Sequence, residues 1–236
     1  MITCLIIDDE PFARDELAAQ LAEADDIEIV GQCSNAIEAM QAISKLKPQL
    51  IFLDIQMPRI TGMELIAMLD PATMPRVVFV TAYDQFAVQA FDRHAFDYLL
   101  KPVDEQRLQR TLEKVRRDLH PQAVGDLAPS QLEHLPCYSG QRLKVVPVQE
   151  VEYVFSDLGG VHVATATEKV HTHMTLKVME EKTPLIRCHR QYLVAPAAIA
   201  EIELLDTGGE VITRSGAKVP VSRRYLKPLK QIFGFH

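Results

Sequence analysis

The sequence predicts two folded domains. The first is an α/β doubly wound, five-stranded parallel sheet, and the second is mostly β. Three observations carry this. Over residues 1–119, five short apolar runs alternate with five amphipathic stretches, the order that builds a parallel sheet covered by helices. The stretch "HPQAVGDLAPSQLEHLP", residues 120–136, then brings three prolines, a glycine and no long periodic run, and reads as a linker. From residue 137 to 236 the texture changes to short alternating segments separated by "DLGG", "DTGG" and "SGAK".

The expected strands of the first domain are residues 2–7, 27–33, 49–53, 76–80 and 96–99. These runs are mostly apolar and continuous rather than alternating, as expected when helices cover both faces of a sheet. The expected helices are residues 12–24, 36–47, 62–69, 85–94 and 105–119, with apolar positions at helical spacing. In the second domain, strands are expected at 142–147, 151–155, 161–166, 185–188, 201–205 and 210–214. Short helices are expected at 175–181 and 222–233, with Ser222 as a good N-cap for the last.

Composition narrows the function classes. The chain has 236 residues and is 47% hydrophobic, enough for two real cores. No apolar run approaches the roughly 18 residues of a membrane span, so no membrane insertion is expected. The start, "MITCLIIDDE", lacks a basic segment and turns acidic at once, unlike a signal peptide. Cys4, Cys33, Cys137 and Cys188 show no metal spacing and read as reduced thiols of a cytoplasmic protein. The net charge of −7 hides an asymmetry: residues 1–120 hold 20 acids against 12 bases, while 121–236 hold 12 against 13. Arg214, Lys218, Arg223, Arg224, Lys227 and Lys230 crowd the last two dozen residues, which contain no acid. Charge of that kind favours phosphate contacts.

The strand ends carry the chemistry. In an open parallel sheet, ligands bind outside the carboxyl ends of the strands. Here those ends are Asp8-Asp9, Asp54, Thr81-Ala82 and Lys101-Pro102. "LIFLDIQMP" runs four large apolar residues into Asp54 before Met57-Pro58 break the chain. A lone aspartate at a strand end can simply cap a turn. Three carboxylates, one hydroxyl and one lysine on the same edge are a different matter. Carboxylates that close repel unless a hard cation such as magnesium joins them. An aspartate beside magnesium can act as a nucleophile toward phosphorus. Lys101 and Thr81 could then meet the oxygens of the transferred group. Asp54 is therefore expected as an exposed, rigid nucleophile in an acidic metal pocket.

The motifs "LIIDDEPFAR", "FLDIQMPRITG", "VFVTAYD" and "FDYLLKP" resemble the receiver domain of two-component response regulators, in order and spacing. The resemblance implies that Asp54 accepts phosphate from a sensor histidine kinase. It implies that Asp8, Asp9, Asp54 and the main-chain carbonyl of Gln56 bind magnesium, and that Thr81 and Lys101 contact the phosphoryl group. Tyr98 would be the aromatic switch that turns inward as Thr81 moves, and Lys101-Pro102 is often cis in this family. No activity is implied beyond phosphorylation and dephosphorylation of the chain itself. An aspartyl-phosphate phosphatase is the enzyme alternative, but such enzymes need a second acid two residues past the nucleophile, where this chain has Gln56.

The second half offers no helical bundle for a helix-turn-helix. A helix from Ser222 would place Arg223 and Arg224 in its first turn, against its own dipole, which an anion there would relieve. "PLIRCHRQYLVAP" and "VPVSRRYLKPLK" resemble the LytTR DNA-binding domain of the LytR/AlgR class, and "VQEVEYVFSDLGGVHV" fits its opening strands. The resemblance implies an elongated, mostly β fold that inserts loops into DNA grooves. Carried over by position, Arg190 and Arg224 are base-contacting candidates, joined by Ser156, Asp157, Arg223 and Lys227. Ala195-Pro196 replaces the asparagine that many relatives carry. No second cysteine stands near the C-terminal arginines, so no redox switch is expected from Cys188. The combined expectation is a transcriptional regulator that dimerises on phosphorylation and binds a repeat site in promoter DNA. The alternative is a regulator whose output binds protein or RNA.

Overall fold

The structure is a computed structural model that describes residues 1–82, 96–118, 131–140 and 142–235. It divides into two compact units, Met1–Ser130 and Gln131–His236.

In the first unit, β1 (Ile2–Ile7), β2 (Ile27–Cys33), β3 (Leu50–Leu53), β4 (Arg76–Thr81) and β5 (Asp97–Leu100) form one parallel sheet in the order β2-β1-β3-β4-β5. The order reverses between β1 and β3. That reversal opens the crevice into which Asp8, Asp9 and Asp54 emerge. One face of the sheet packs Cys4, Ile6, Phe52, Val80 and Leu99 against α1 (Pro11–Leu21) and α4 (Glu105–Arg117), through Leu17, Leu21, Leu108 and Leu112. Leu5, Ile7, Ile51, Leu53 and Phe79 fill the other face, and α2 (Ala36–Leu46) packs on β1 and β2 there. Phe52 and Phe79 are fully buried, worth roughly 3 kcal/mol each in transfer alone.

Local chemistry sets the helix starts. The Asn35 side chain accepts from the amides of Ile37 and Glu38 and starts α2. Thr61 and Glu64 form a reciprocal capping box on α3 (Gly62–Met68). Asp104 accepts from the Arg107 amide at the start of α4. The first helix begins a residue earlier than expected, because Pro11 at its first position needs no amide partner. It ends three residues early, at Leu21, where Ala24 and Ile27 turn the chain into β2. The helix expected over 85–94 lies outside the described residues.

The second unit holds two antiparallel sheets. The larger contains β6 (His134–Ser139), β7 (Arg142–Pro147), β8 (Val151–Asp157), β9 (Gly160–Thr165), β10 (Lys169–Thr172), β11 (Ile186–His189) and β12 (Tyr192–Val194), in the order β11-β12-β8-β9-β10-β6-β7. The smaller contains β13 (Ile199–Leu205), β14 (Gly208–Thr213) and β15 (Lys218–Ser222). The helix α5 (Leu176–Lys182) packs on β8 and β12. The helix α6 (Arg223–Ile232) packs on β11, β14 and β15, burying Leu229 among Cys188, Val194, Val211, Val219 and Val221.

Four strands here were not expected. The strand β6 begins at His134, inside the stretch read as linker. The strand β10 pairs with β6 only at His171 opposite Tyr138, so no ladder bond from β10 asks for an amide at Pro136, whose carbonyl takes the Thr172 hydroxyl at 2.7 Å. The strand β15 carries Pro220, acceptable on the edge of the smaller sheet. The strands β10 and β12 are too short to show a period. Ser222 is at the N-cap of α6, but its side chain makes no capping bond, because the residue also closes the β14–β15 ladder opposite Gly208.

Candidate functional site

The pocket of the first unit is built from strand ends. The Asp54 amide continues the β1–β3 ladder by donating to the Ile7 carbonyl at 2.9 Å, which sets Asp54 beside Asp8. The Asp54 side chain accepts from the Gln56 amide at 3.1 Å, and the Asp8 side chain accepts from the Glu10 amide at 3.0 Å. Carboxylate oxygens of Asp8, Asp9 and Asp54 lie within 4.8 Å of one another. Lys101 closes the group: its Nζ lies 2.7 Å from Asp8 Oδ2 and 2.8 Å from Asp54 Oδ2. Its amide donates to the Thr81 carbonyl at 2.9 Å, and the Lys101-Pro102 bond that follows is cis.

Asp54 is only 5% exposed, which corrects the expectation of an exposed carboxylate. The Lys101 ammonium bonds it, compensating a burial that would otherwise cost several kcal/mol. Burial raises the Asp8 pKa, and the Lys101 and Glu10 hydrogen bonds only partly offset it. Burial pulls the Lys101 ammonium down, but its bonds to Asp54 and Asp8 outweigh that and hold its pKa above the ordinary lysine value.

Thr81 is fully buried, and among the described residues its hydroxyl has no hydrogen-bond partner. An orphaned buried hydroxyl costs about 1–3 kcal/mol, so a ligand oxygen that reached it would be welcome. Tyr98 is 4% exposed on β5, so its side chain already lies inside. Its carbonyl accepts from Arg107 Nη2, and its amide donates to Asp97, whose carboxylate also binds Arg107, Lys114 and Thr111. The donor set suits magnesium: three hard carboxylates face one ammonium, leaving an excess negative charge that a divalent cation would complement.

The second unit brings Ser156, Asp157 and Arg190 to one end of its larger sheet. The β8–β9 hairpin turns at Asp157-Leu158-Gly159-Gly160. Asp157 Oδ1 accepts from the Gly159 amide at 2.8 Å and meets His162 Nε2 at 3.0 Å. These two partners hold the exposed Asp157 carboxyl below its ordinary pKa. Gly160 has φ +116, and a Cβ there would lie 2.4 Å from the His171 ring. The Ser156 amide donates to the Gln191 carbonyl at 2.9 Å, tying the hairpin strand to the Arg190 turn. Arg223, Arg224 and Lys227 enter on a different element, the start of α6. Arg223 Nη2 donates to the Asp206 carbonyl, and the Arg224 guanidinium lies 5.5 Å from the centre of the Tyr225 ring.

Sequence reasoning missed what stands behind the hairpin. His189, Tyr192, Phe155, His162, His171 and Tyr138 are successive register partners across six strands, one row of rings on one face. Phe155 stacks on His162 at 4.8 Å, and His162 meets His171 at 5.3 Å. The alternation in "VHVATATEKVHTH" carried the signal for its histidines.

Two family models match the chain: a response regulator receiver domain over residues 4–113 and a LytTr DNA-binding domain over 141–234. The chain belongs to the LytTR response regulators. This regulator is 73% identical over 235 residues, covering all of both chains, to an uncharacterized response regulatory protein of Shewanella oneidensis. It is 50% identical to the transcriptional regulatory protein BtsR of Escherichia coli K12, over 99% of this chain and 100% of that one. The crystal structure of the response regulatory domain of mrkE from Klebsiella pneumoniae covers 50% of the regulator and 98% of its own chain. It is 33% identical, with a TM-score of 0.45. The regulator thus joins a receiver domain to a DNA-binding domain that serves transcription regulation. Among the described residues no helix is long and apolar enough to cross a membrane.

Proposed function

We propose that Asp54 accepts a phosphoryl group from a sensor histidine kinase and that this controls promoter binding by the second unit. The observation that carries the reading is the approach of the Asp8, Asp9 and Asp54 carboxylates under a single lysine. In the transfer, an Asp54 carboxylate oxygen bonds to phosphorus as the phosphorus–nitrogen bond to the kinase histidine breaks. Magnesium, held by Asp8, Asp9, Asp54 and the Gln56 main-chain carbonyl, would neutralise charge on the phosphoryl oxygens. Lys101 would leave Asp54 for a phosphoryl oxygen, and Thr81 would give its buried hydroxyl to another.

The readout follows from the same contacts. Thr81 turning toward the phosphoryl group frees volume that Tyr98, close by on β5, holds or yields. The β5–α4 side carries Asp97 and its cations, so a shift of Tyr98 reaches a charged outer surface. Phosphorylation would favour a homodimer, and two DNA-binding domains on a repeat site bind more tightly than one. Ser156, Asp157, Arg190, Arg223, Arg224 and Lys227 would meet the DNA. The domain limits that fit this division of labour are residues 1–119 and 137–236, with the intervening stretch as linker and the strand at His134 as its folded end. Such a protein works in the cytoplasm, beside kinase and chromosome. The test is salt-dependent, sequence-selective duplex binding by wild type with and without a small phosphodonor and magnesium. Binding that is selective and strengthened by the donor supports the reading; binding indifferent to the donor contradicts it.

A further inference from the structure

Two arginines three residues apart behave in opposite ways. Arg190 is exposed at the tip of the β11–β12 turn, and its guanidinium has no hydrogen-bond or ion-pair partner among the described residues. The Arg187 side chain is only 15% exposed and is taken up by the protein itself. Its Nε and Nη2 grip Glu180 Oε2 of α5 at 2.8 and 2.7 Å, and its Nη1 donates to the Arg190 carbonyl at 3.2 Å.

The rest of the turn is held as firmly. The Gln191 amide donates to His189 Nδ1 at 3.2 Å, and the Gln191 carbonyl accepts from the Ser156 amide. Cys188 Sγ lies 3.6 Å from the Tyr192 carbonyl it donates to. The ladder register shifts between Arg187 and His189, the kind of irregularity that re-aims a side chain. These bonds anchor the turn from inside, while the Arg190 guanidinium stays exposed.

We propose that Arg187 is a positioning residue that presents Arg190 to a guanine in the DNA, with Glu180 fixing Arg187 for that task. The proposal rests on the reading that the Arg190 turn meets DNA. A guanidinium fork pairs with the two acceptors on the major-groove edge of guanine. Such a pair discriminates between bases only if its arm is held, since a wandering arginine would settle on any phosphate. Arg187 spans Glu180 and the Arg190 carbonyl with separate nitrogens of one plane. Lysine, with a single ammonium on a flexible stem, cannot reproduce that geometry.

The experiment uses the full chain, treated with a small phosphodonor and magnesium, and a randomised duplex library sequenced after selection. Wild type, R190A, R187K and E180A are compared, with melting temperature and salt dependence measured for each. Glu180 lies on an exposed helix face, so E180A keeps the test open if R187K folds poorly. R190A is expected to lose a guanine preference at one position, by roughly tenfold. R187K and E180A are expected to lose most of that same preference and no other. Their salt dependence should match wild type, because neither native side chain neutralises a phosphate. If R190A loses the guanine and the other two keep it, the positioning role is overturned while the contact stands. If R190A keeps the motif, or weakens all sequences equally, Arg190 is no base reader and the inference falls with it.

Discussion

Gly62 sits so close beneath Asp54 that a Cβ added to it would lie 2.2 Å from the Asp54 carbonyl oxygen and 3.1 Å from Leu53 Cγ. The helix α3 therefore begins in contact with the main chain that carries the proposed acceptor carboxylate, fixed further by the Gly62 amide's bond to the Ile55 carbonyl at 2.9 Å. Gly62→Ala must push Asp54 aside. The expected cost is roughly 1–3 kcal/mol of stability. Phosphorylation should slow on the order of 100-fold, because small displacements of a reacting group are expensive. Urea unfolding and the rate of phosphoryl gain check this. A variant as stable and as fast as wild type would refute the contact.

Lys101 occupies the carboxylate pair that magnesium would need. Lys101→Met removes the competing ammonium while keeping most of its bulk. Magnesium should bind this variant more tightly, on the order of tenfold, when titrated by calorimetry. The phosphorylated form should nevertheless fail to strengthen DNA binding. Unchanged or weaker magnesium binding would mean that the lysine and the metal do not share those oxygens.

Asp97 is fully buried on its side chain, bonded to Arg107, Lys114, Thr111 and the Tyr98 amide. Burial pushes its pKa up, but these partners outweigh burial and hold it below the ordinary aspartate value. A lowered folded pKa gives stability that is present above the unfolded value, about 3.9, and is lost as pH falls through the folded value. Asp97→Asn should cost about 2 kcal/mol at pH 7, less than a wholly buried pair because Arg107 and Lys114 reach water. The gap between wild type and variant should persist to pH 5 and close below pH 4, read from urea midpoints of the receiver. A gap that ignores pH would contradict the assignment.

All four cysteines are free and buried, and burial pushes each thiol up to about 12. Thiolate is then vanishingly scarce near pH 8. The folded regulator should resist iodoacetamide at pH 8, and all four thiols should react in urea. Rapid labelling of any one in the folded chain would show that its site opens.

How legible each part was depends on the physics that fixes it. The five receiver strands showed in the sequence because a sheet covered on both faces needs unbroken apolar runs, such as Leu50–Leu53. The convergence of Asp8, Asp9, Asp54, Thr81 and Lys101 followed from where those runs stop. The burial of Asp54 did not, since it depends on where a lysine 47 residues later folds its side chain. Glu152 was invisible for the same reason. It lies 7% exposed on β8 and accepts from Thr213, from the Ser215 hydroxyl and from the Ser215 amide, partners more than 60 residues away. The strand at His134 was hidden by Pro136, whose missing amide is harmless only because of its neighbours. In the Arg190 turn the sequence marked Arg190, yet only the folded chain shows that Arg187, three residues earlier, is taken up by Glu180 and the Arg190 carbonyl.

The central claim is that phosphorylation of Asp54 governs DNA binding. The most direct measurement incubates wild type and Asp54→Asn with a small phosphodonor and magnesium, then records intact mass and duplex affinity on the same samples. One phosphoryl gain and tighter binding are expected in wild type, and neither in the variant. A phosphoryl gain in Asp54→Asn, or a gain in wild type that leaves affinity unchanged, would contradict it.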